Sequence, residues 1–467
     1  MTARPSSDAI GFSQTLGAGN RDLLLSRSSL NLPLSDTQAI KLAALHRNKD
    51  GYIDNGGPGG DYGDVTAEGF RVDWRWQPRD SITVDYSWDK SRIETYNTTP
   101  QAVQPGIESG SPADAAIRSS QRFVTYARSR LDRLDTSVPL LPTDTTIEGH
   151  ALKVQWQLGS FDLTSISAWR ALEDDSYIDF ASGASAEYRV DFAAITLGEQ
   201  SPDSKQYDDV RTRLQQDQFS QELQLIGTLN DDFNLVAGLY YFEEDARENW
   251  FPLHHIFSFP VIESGDQSTA VNIRAEDSHI DNSTHAAYAQ LTWSPLPDWA
   301  FTVGWRYSED QRAVTRQFKQ ENYVDFGTFV LGPFETIDFS TRASKDFSDN
   351  AFTLILEHDR REDVLLYAKL AEAYKSGGFN TRDPDPDFFS RGFDEENNRT
   401  AEVGMKGEWW QRALRINTAL FYSRFDDMQL NFLLPGTISD TRVFNSGSAE
   451  LAGLELEAVS YTHLRAH

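Results

Sequence analysis

The sequence predicts an all-β fold: a partial transmembrane antiparallel β-barrel of about fourteen strands of a larger barrel, with short periplasmic turns and long extracellular loops. Three observations predict it. Six pairs of runs with alternating apolar and polar residues flank very short polar turns, at 78–80, 159–160, 230–232, 295–298, 359–363 and 411–413. Long hydrophilic stretches separate these hairpins, so the connections are sorted by length. A membrane-crossing barrel requires that sorting and a soluble sandwich does not. Finally, aromatic residues gather at both ends of the apolar rows.

Composition limits the alternatives. A chain of 467 residues without cysteine can form several domains or one large barrel, with neither disulfides nor thiolate metal sites. A net charge of −28 argues against a nucleic-acid partner, because phosphate recognition needs clustered Lys and Arg. Mean hydropathy is −0.52 and no run is long and apolar enough for a membrane helix; residues 235–242 form one of the longest apolar runs and are only strand-sized. A barrel needs no more, since only alternate residues face lipid. The first twenty residues hold no apolar stretch of the kind a secretory signal carries, so the chain is expected to lack the start of its precursor.

Taken in order, a weak strand candidate covers 22–30. Residues 36–45 follow the cap signals Ser35 and Asp36, read as weakly helical, and are placed in a loop. Alternation is then plain: Phe70, Val72, Trp74 and Trp76 lie opposite Arg71, Asp73 and Arg75, and Ile82, Val84, Tyr86 and Trp88 follow the turn. The same pattern returns at 152–158, 233–241, 299–307 and 414–422. The run 161–169 slips phase near Ser165, which a β-bulge would absorb. A last strand candidate covers 451–459. Long connections are expected at 95–145, 172–210, 244–280, 311–345, 376–397 and 424–440.

Near the short turns stand Trp76, Trp293, Trp299, Trp409 and Trp410; further along the strands stand Trp88, Tyr241, Tyr307 and Tyr422. The two sets are about eight residues apart, roughly 26 Å of strand or ~20 Å after a tilt of about 40°, close to the ~25 Å apolar band of such barrels. These aromatics are read as two membrane girdles.

Few residues suggest chemistry. The stretch Asn48-Lys-Asp50-Gly51-Tyr-Ile-Asp54 is similar to half a calcium loop, but His46 and Gly57 occupy ligand positions, leaving a Gly/Asp-rich surface loop. His254 and His255 lie among Trp250, Phe251 and Phe257 without further metal ligands at a recognisable spacing, so no metal site is assigned. The loop after Asn380 carries Arg382, then Asp383, Asp385 and Asp387, then Phe388, Phe389 and Arg391. Mixed aromatics and arginines grip planar or anionic ligands, and they also occur in solvated loops. Trp250, His254, His255, Arg382, Phe388, Phe389 and Arg391 are the candidate ligand contacts. No phosphate loop, nucleophile elbow or zincin motif occurs, and nothing argues for catalysis.

The C-terminal third adds a resemblance. Tyr367-Ala-Lys-Leu-Ala-Glu-Ala-Tyr374-Lys-Ser-Gly-Gly-Phe-Asn380 resembles a barrel segment of TonB-dependent outer-membrane receptors. The pattern continues in order through Phe393-Asp-Glu395, Glu402-Val-Gly404-Met-Lys406, Arg415-Ile-Asn417, Asp427-Met-Gln429 and Asn445-Ser-Gly447 to Gly453-Leu-Glu455. Leu30-Asn-Leu-Pro-Leu-Ser-Asp36 and Asp50-Gly51-Tyr52 look like an early segment of the same family.

The resemblance implies the cell outer membrane of a Gram-negative bacterium and a plugged, 22-stranded transporter. It implies energised uptake of a scarce nutrient, such as a ferric siderophore or related chelate, and no cofactor. The implied partners are outer-membrane lipid, the TonB energy-coupling system through an N-terminal region not seen here, and the small-molecule ligand. Residues 1–459 are expected to be an incomplete barrel domain, and 460–467 a non-native tail. Two rivals remain, a passive channel and a soluble all-β binding protein. The lumen-facing candidates Arg71, Asp73, Arg75, Lys153, Arg306, Glu402 and Arg415 carry both signs. A selective passive pore would more often show rings of one sign, so the mixture favours a wall packed against a polar plug.

Overall fold

The computed structural model describes residues 5–57, 59–98, 128–134, 140–179, 209–252, 255–260, 267–325, 330–361, 363–434 and 440–460. The strands are β1 (Gly11–Gly19), β2 (Leu23–Ser35), β3 (Gln38–Lys49), β4 (Val65–Arg79), β5 (Ile82–Thr95), β6 (Thr143–Leu158), β7 (Phe161–Asp179), β8 (Asp209–Asn230), β9 (Phe233–Pro252) and β10 (His255–Pro260). They continue as β11 (Gln267–Leu296), β12 (Trp299–Asp325), β13 (Val330–Arg361), β14 (Val364–Lys375), β15 (Glu396–Trp409), β16 (Leu414–Asp426), β17 (Gln429–Leu433), β18 (Thr441–Asn445) and β19 (Ser448–Ser460). One short helix, α1 (Pro386–Arg391), sits between β14 and β15.

All but β17 and β18 belong to one antiparallel sheet. Neighbours in sequence are neighbours in space from β1 through β16, and β19 completes the row. β9 and β10 lie end to end against β11, so the sheet is sixteen places wide, and no register pairs β1 with β19 among the described residues. The six turns expected from sequence all join strands on one side of this sheet, and 36–37 adds a seventh between β2 and β3.

That seventh turn corrects the helical reading of 36–45. β3 pairs with β2 on one side and β4 on the other, placing Ile40 and Leu42 between Leu32 and Leu30 and between Trp74 and Val72. Two partner strands outweigh the local preference of an Ala-rich run. β1, β10, β17 and β18 are the other strands not read from sequence. The expected bulge in β7 is also absent: its ladders with β6 and β8 run unbroken. Ser165 and Ser167 sit on the apolar face instead, their hydroxyls bonded to the Gln221 side chain on β8.

The expected loops at 244–280 and 311–345 are largely strand. β11, β12 and β13 are 30, 27 and 32 residues long, against the ~9–11 that cross a membrane. Their far halves form a wall projecting from the long-loop side. Hydropathy concealed it because the outward row is polar at Thr315, Gln317 and Lys319, while the inward row Val314, Arg316 and Phe318 includes a charge.

Within the membrane-sized part, the registers sort residues by face. Phe301, Val303 and Trp305 on β12 align with Leu356, Leu354 and Phe352 on β13 and with Trp293, Leu291 and Ala289 on β11. These rows stand largely exposed, an apolar surface that belongs against hydrocarbon. Rings meet along its short-turn edge: Phe233 and Trp293 stack at 6.1 Å, Trp293 and Phe301 lie 5.7 Å apart, and Trp299 stacks on His358 at 4.2 Å. Trp76, Trp88, Tyr307, Trp409 and Tyr422 share this face by register, whereas Trp410 stands in the turn after β15 with positive φ.

The face assignment predicts opposite outcomes for adjacent residues. Trp305→Arg places a charge on the lipid side, costing about 2–4 kcal/mol at mid-depth, and should reduce the folded, heat-modifiable form recovered from outer membranes. Arg306→Gln should leave that yield unchanged. Equal yields from the two variants would reverse the assignment.

Candidate functional site

The polar face is organised by ion pairs. Arg75 forks onto Asp85 at 2.7 and 2.8 Å; Arg71 holds Asp73 at 2.7 Å and reaches Asp89 at 3.4 Å. Further round, Glu408 accepts from Arg415, and Arg312 pairs with Asp310 at 3.0 Å. Arg306 lies 5.8 and 5.9 Å from the ring centroids of Tyr240 and Tyr288. It borders a cavity of about 700 Å³ that Glu222, Asp310, Arg312 and Tyr374 also line. The face carries both signs, as read from the sequence.

Above the membrane, on the inner side of the projecting wall, the loop between β14 and β15 folds back onto the sheet. Its entry is the Gly377–Gly378 pair. Gly378 bridges Phe393 in an antiparallel contact, and a Cβ on Gly377 would lie 2.1 Å from the Phe393 carbonyl oxygen and 2.7 Å from the Phe347 ring. Only glycine allows that approach. The sequence then specifies α1: Asp385 caps it by accepting from the amides of Asp387 and Phe388 at 2.9 and 3.2 Å, Pro386 opens it, and Gly392 closes it at φ 61°.

Phe389 of α1, only 1% exposed, packs with Phe379 on Val314, Ala343 and Ile280 of the wall. Beside it Arg316 is fully buried, its guanidinium carbon 4.7, 5.0 and 5.6 Å from the rings of Phe318, Phe389 and Phe339. Arg316 pairs with the Glu276 carboxylate at 3.1 Å and donates to the Asp383 carbonyl at 2.5 Å. Arg382 joins Glu248 at 2.7 Å and Glu276 at 3.5 Å, and lies 4.5 Å over the buried Trp250 ring. Arg442, from the β17–β18 hairpin, forks onto the Asp383 carboxylate, which raises its pKa. Three guanidiniums and three carboxylates thus neutralise one another. Removing one member of such a buried set costs about 3–5 kcal/mol.

An aromatic surface remains open above this base. Arg442 and Arg391 stack on Phe388 at 3.6 and 4.1 Å, Phe444 meets Phe388 edge-on at 6.3 Å, and Phe432 lies 6.0 Å from Phe444. Phe432 and Phe444 are 46% and 39% exposed. Arg391 is exposed and makes no ion pair among the described residues.

The structure therefore brings together five of the seven residues selected from sequence: Trp250, Arg382, Phe388, Phe389 and Arg391. Burial of Trp250 and Phe389 leaves them as packing, while Phe388 and Arg391 keep accessible surface. His255 is described only as backbone opposite Asn272, and His254 lies outside the described residues. Sequence reading missed Arg316, Glu276, Arg442, Phe432 and Phe444. The signal for Arg316 was its place in the inward row between Val314 and Phe318.

Two further polar clusters lie elsewhere among the described residues. In the 50–64 loop, Asp61 accepts from the Asn55 amide at 2.7 Å and Asp64 from the amides of Gly51 and Asp61, so these carboxylates hold the turn itself. On the outer face, Asp245, His279 and Asp281 converge within 4.8 Å, with His279 2.7 Å from Asp245. That hydrogen bond raises the His279 pKa.

Comparison with known proteins agrees with this architecture. Residues 8–466 match the family described as TonB dependent receptor-like, beta-barrel. The chain belongs to that family. Its fold is shared with the ferric yersiniabactin uptake receptor FyuA from Yersinia pestis, at 19% identity and TM-score 0.69 over 98% of this chain and 59% of that one. The siderophore receptor PiuA from Acinetobacter baumannii matches at 11% identity and TM-score 0.63, over 99% of this chain and 63% of that one. The copper transporter OprC matches at 13% identity and TM-score 0.63, over 99% and 60%. The TonB-dependent receptor-like chain thus spans about six-tenths of the length of these structures.

The cap on α1 offers a local test. Asp385→Ala should cost about 1 kcal/mol, raising amide exchange at Phe388 and Gly392 roughly fivefold while exchange within β12 stays the same. Unchanged exchange in α1 would mean that packing alone holds the helix.

Proposed function

We propose that this chain forms the barrel wall of an outer-membrane receptor that captures a scarce metal chelate, such as a ferric siderophore, and imports it by energised transport. The observation that carries the proposal is the extramembrane surface of Phe388, Phe432 and Phe444 with Arg391, which has no carboxylate partner among the described residues, held on the inner side of the wall. Rings beside an exposed guanidinium suit a planar, anionic chelate. Trp250, Arg382 and Phe389 support that surface from beneath, and His254 and His255 are proposed as further ligand contacts. The family supports a receptor, and the structural neighbours include siderophore receptors and a copper transporter. Lipid covers the apolar face in this reading, and the TonB system supplies energy through the rest of the protein.

A passive channel is the second reading, and the balanced charge of the polar face weighs against it. Cells carrying the whole protein should bind a labelled ferric chelate whether or not the inner membrane is energised, but import it only when energised. Import undiminished after de-energising would establish the channel instead. Phe388→Ala or Arg391→Gln should weaken capture; loss of such an anchor costs about 2 kcal/mol, roughly thirtyfold in affinity.

A further inference from the structure

We propose that Asp383 is a positioning residue, held from two sides so that Phe388 and Arg391 occupy one place before any ligand arrives. The proposal rests on assigning that surface to ligand capture. The loop between β14 and β15 leaves the sheet at Lys375 and returns at Glu396, so no strand ladder fixes its middle. Asp383, beside Arg382 and Phe389, takes the place of that ladder. From the wall, the buried Arg316 takes its main-chain carbonyl at 2.5 Å. From the hairpin, Arg442 takes its carboxylate with two parallel N–H bonds, one of them 2.7 Å. The same carboxylate accepts the Asp385 amide at 3.0 Å, and Asp385 caps α1.

A continuous line of contacts therefore runs from wall to Asp383, to Asp385, to α1, and so to Phe388 and Arg391. Asp383 is itself buried, at 3% exposure, so it is closed to a ligand arriving on the open aromatic surface. Its influence on a ligand must pass through the groups it holds. A surface ordered in advance loses less conformational freedom on binding, which improves affinity without any new contact.

The two attachments are separable, because one uses a main-chain atom and the other the side chain. Asp383→Asn keeps the Arg316 bond to the carbonyl and loses the charged fork to Arg442. Asp383→Glu retains a carboxylate and serves as the rescue. This stretch has no cysteine, so with any cysteine elsewhere in the whole protein replaced by serine, Ser390→Cys on α1 and Gln317→Cys on the outward row of β12 provide a unique pair for spin labels.

In the whole protein in outer membranes, pulsed electron resonance should give a narrow Ser390–Gln317 label separation with Asp383 present. It should broaden in Asp383→Asn and narrow again in Asp383→Glu. Capture would be measured with iron(III) complexes of a tris-catechol and a tris-hydroxamate chelator. Whichever complex the parent binds should bind about tenfold more weakly to Asp383→Asn, with the number of sites unchanged and affinity restored by Asp383→Glu.

An unchanged separation in Asp383→Asn would overturn the positioning role whatever the binding result. Broadening with unaltered capture would show a real clasp that does not serve ligand binding, which also overturns the proposal. A parent that captures neither complex would instead remove the reading of the surface as a chelate site, while the label separation still reports whether Asp383 positions α1.

Discussion

Within hydrocarbon no water is available to a backbone amide or carbonyl, so a chain that crosses by strands must pair every one of them with a neighbour. Everything else in this protein follows from that constraint. The ladders are long and almost unbroken; that between β11 and β12 runs from Thr269 opposite Asp325 to Trp293 opposite Phe301 before its first irregularity. An unbroken ladder leaves each side chain only two directions. Successive residues therefore divide between a face that must suit lipid and one that need not. The polar groups excluded from the first face accumulate on the second, where Arg71, Arg75 and Arg312 find carboxylates within reach.

The same polar face becomes the floor of the candidate site once the strands rise above the membrane. β11, β12 and β13 carry the inward row far beyond the lipid, and apolar positions there have no bilayer to meet. The loop between β14 and β15 covers them with Phe379 and Phe389. Buried charge comes with this arrangement, because Arg316 and Glu276 lie on the same inward row. The loop contributes Arg382 and the Asp383 carbonyl, and the hairpin contributes Arg442, so the charges balance only when wall, loop and hairpin are together. The structure thus combines a pinned base with an exposed aromatic and cationic rim, rather than a freely solvated loop.

The relatives show how little of this depends on residue identity. FyuA shares the fold at 19% identity and PiuA at 11%. Alternation and turn placement survive such divergence, because any apolar residue serves on the lipid face and any polar pair on the other. A clasp built from specific guanidiniums and carboxylates is far less tolerant of substitution than an alternating pattern.

The sequence alone determined the class of the protein, the six rows whose period-two pattern is strong, six of the short turns and the face of each girdle aromatic save Trp410. It did so because lipid acts on every alternate residue locally, leaving its mark within each strand. The helix α1 was not read from sequence, which placed 376–397 in a long loop. Tertiary structure decided that 36–45 is strand, since only pairing with both β2 and β4 gives Ile40 and Leu42 an apolar setting. It decided that 311–345 is mostly wall rather than loop, because the outward face there meets water and carries no hydrophobic signal. It also decided the site: Trp250, Glu276, Arg316, Asp383 and Arg442 come from five separate segments, and no local pattern states that they meet. Their meeting is set by strand register and by a loop that turns inward at Gly377, which are properties of the assembled sheet.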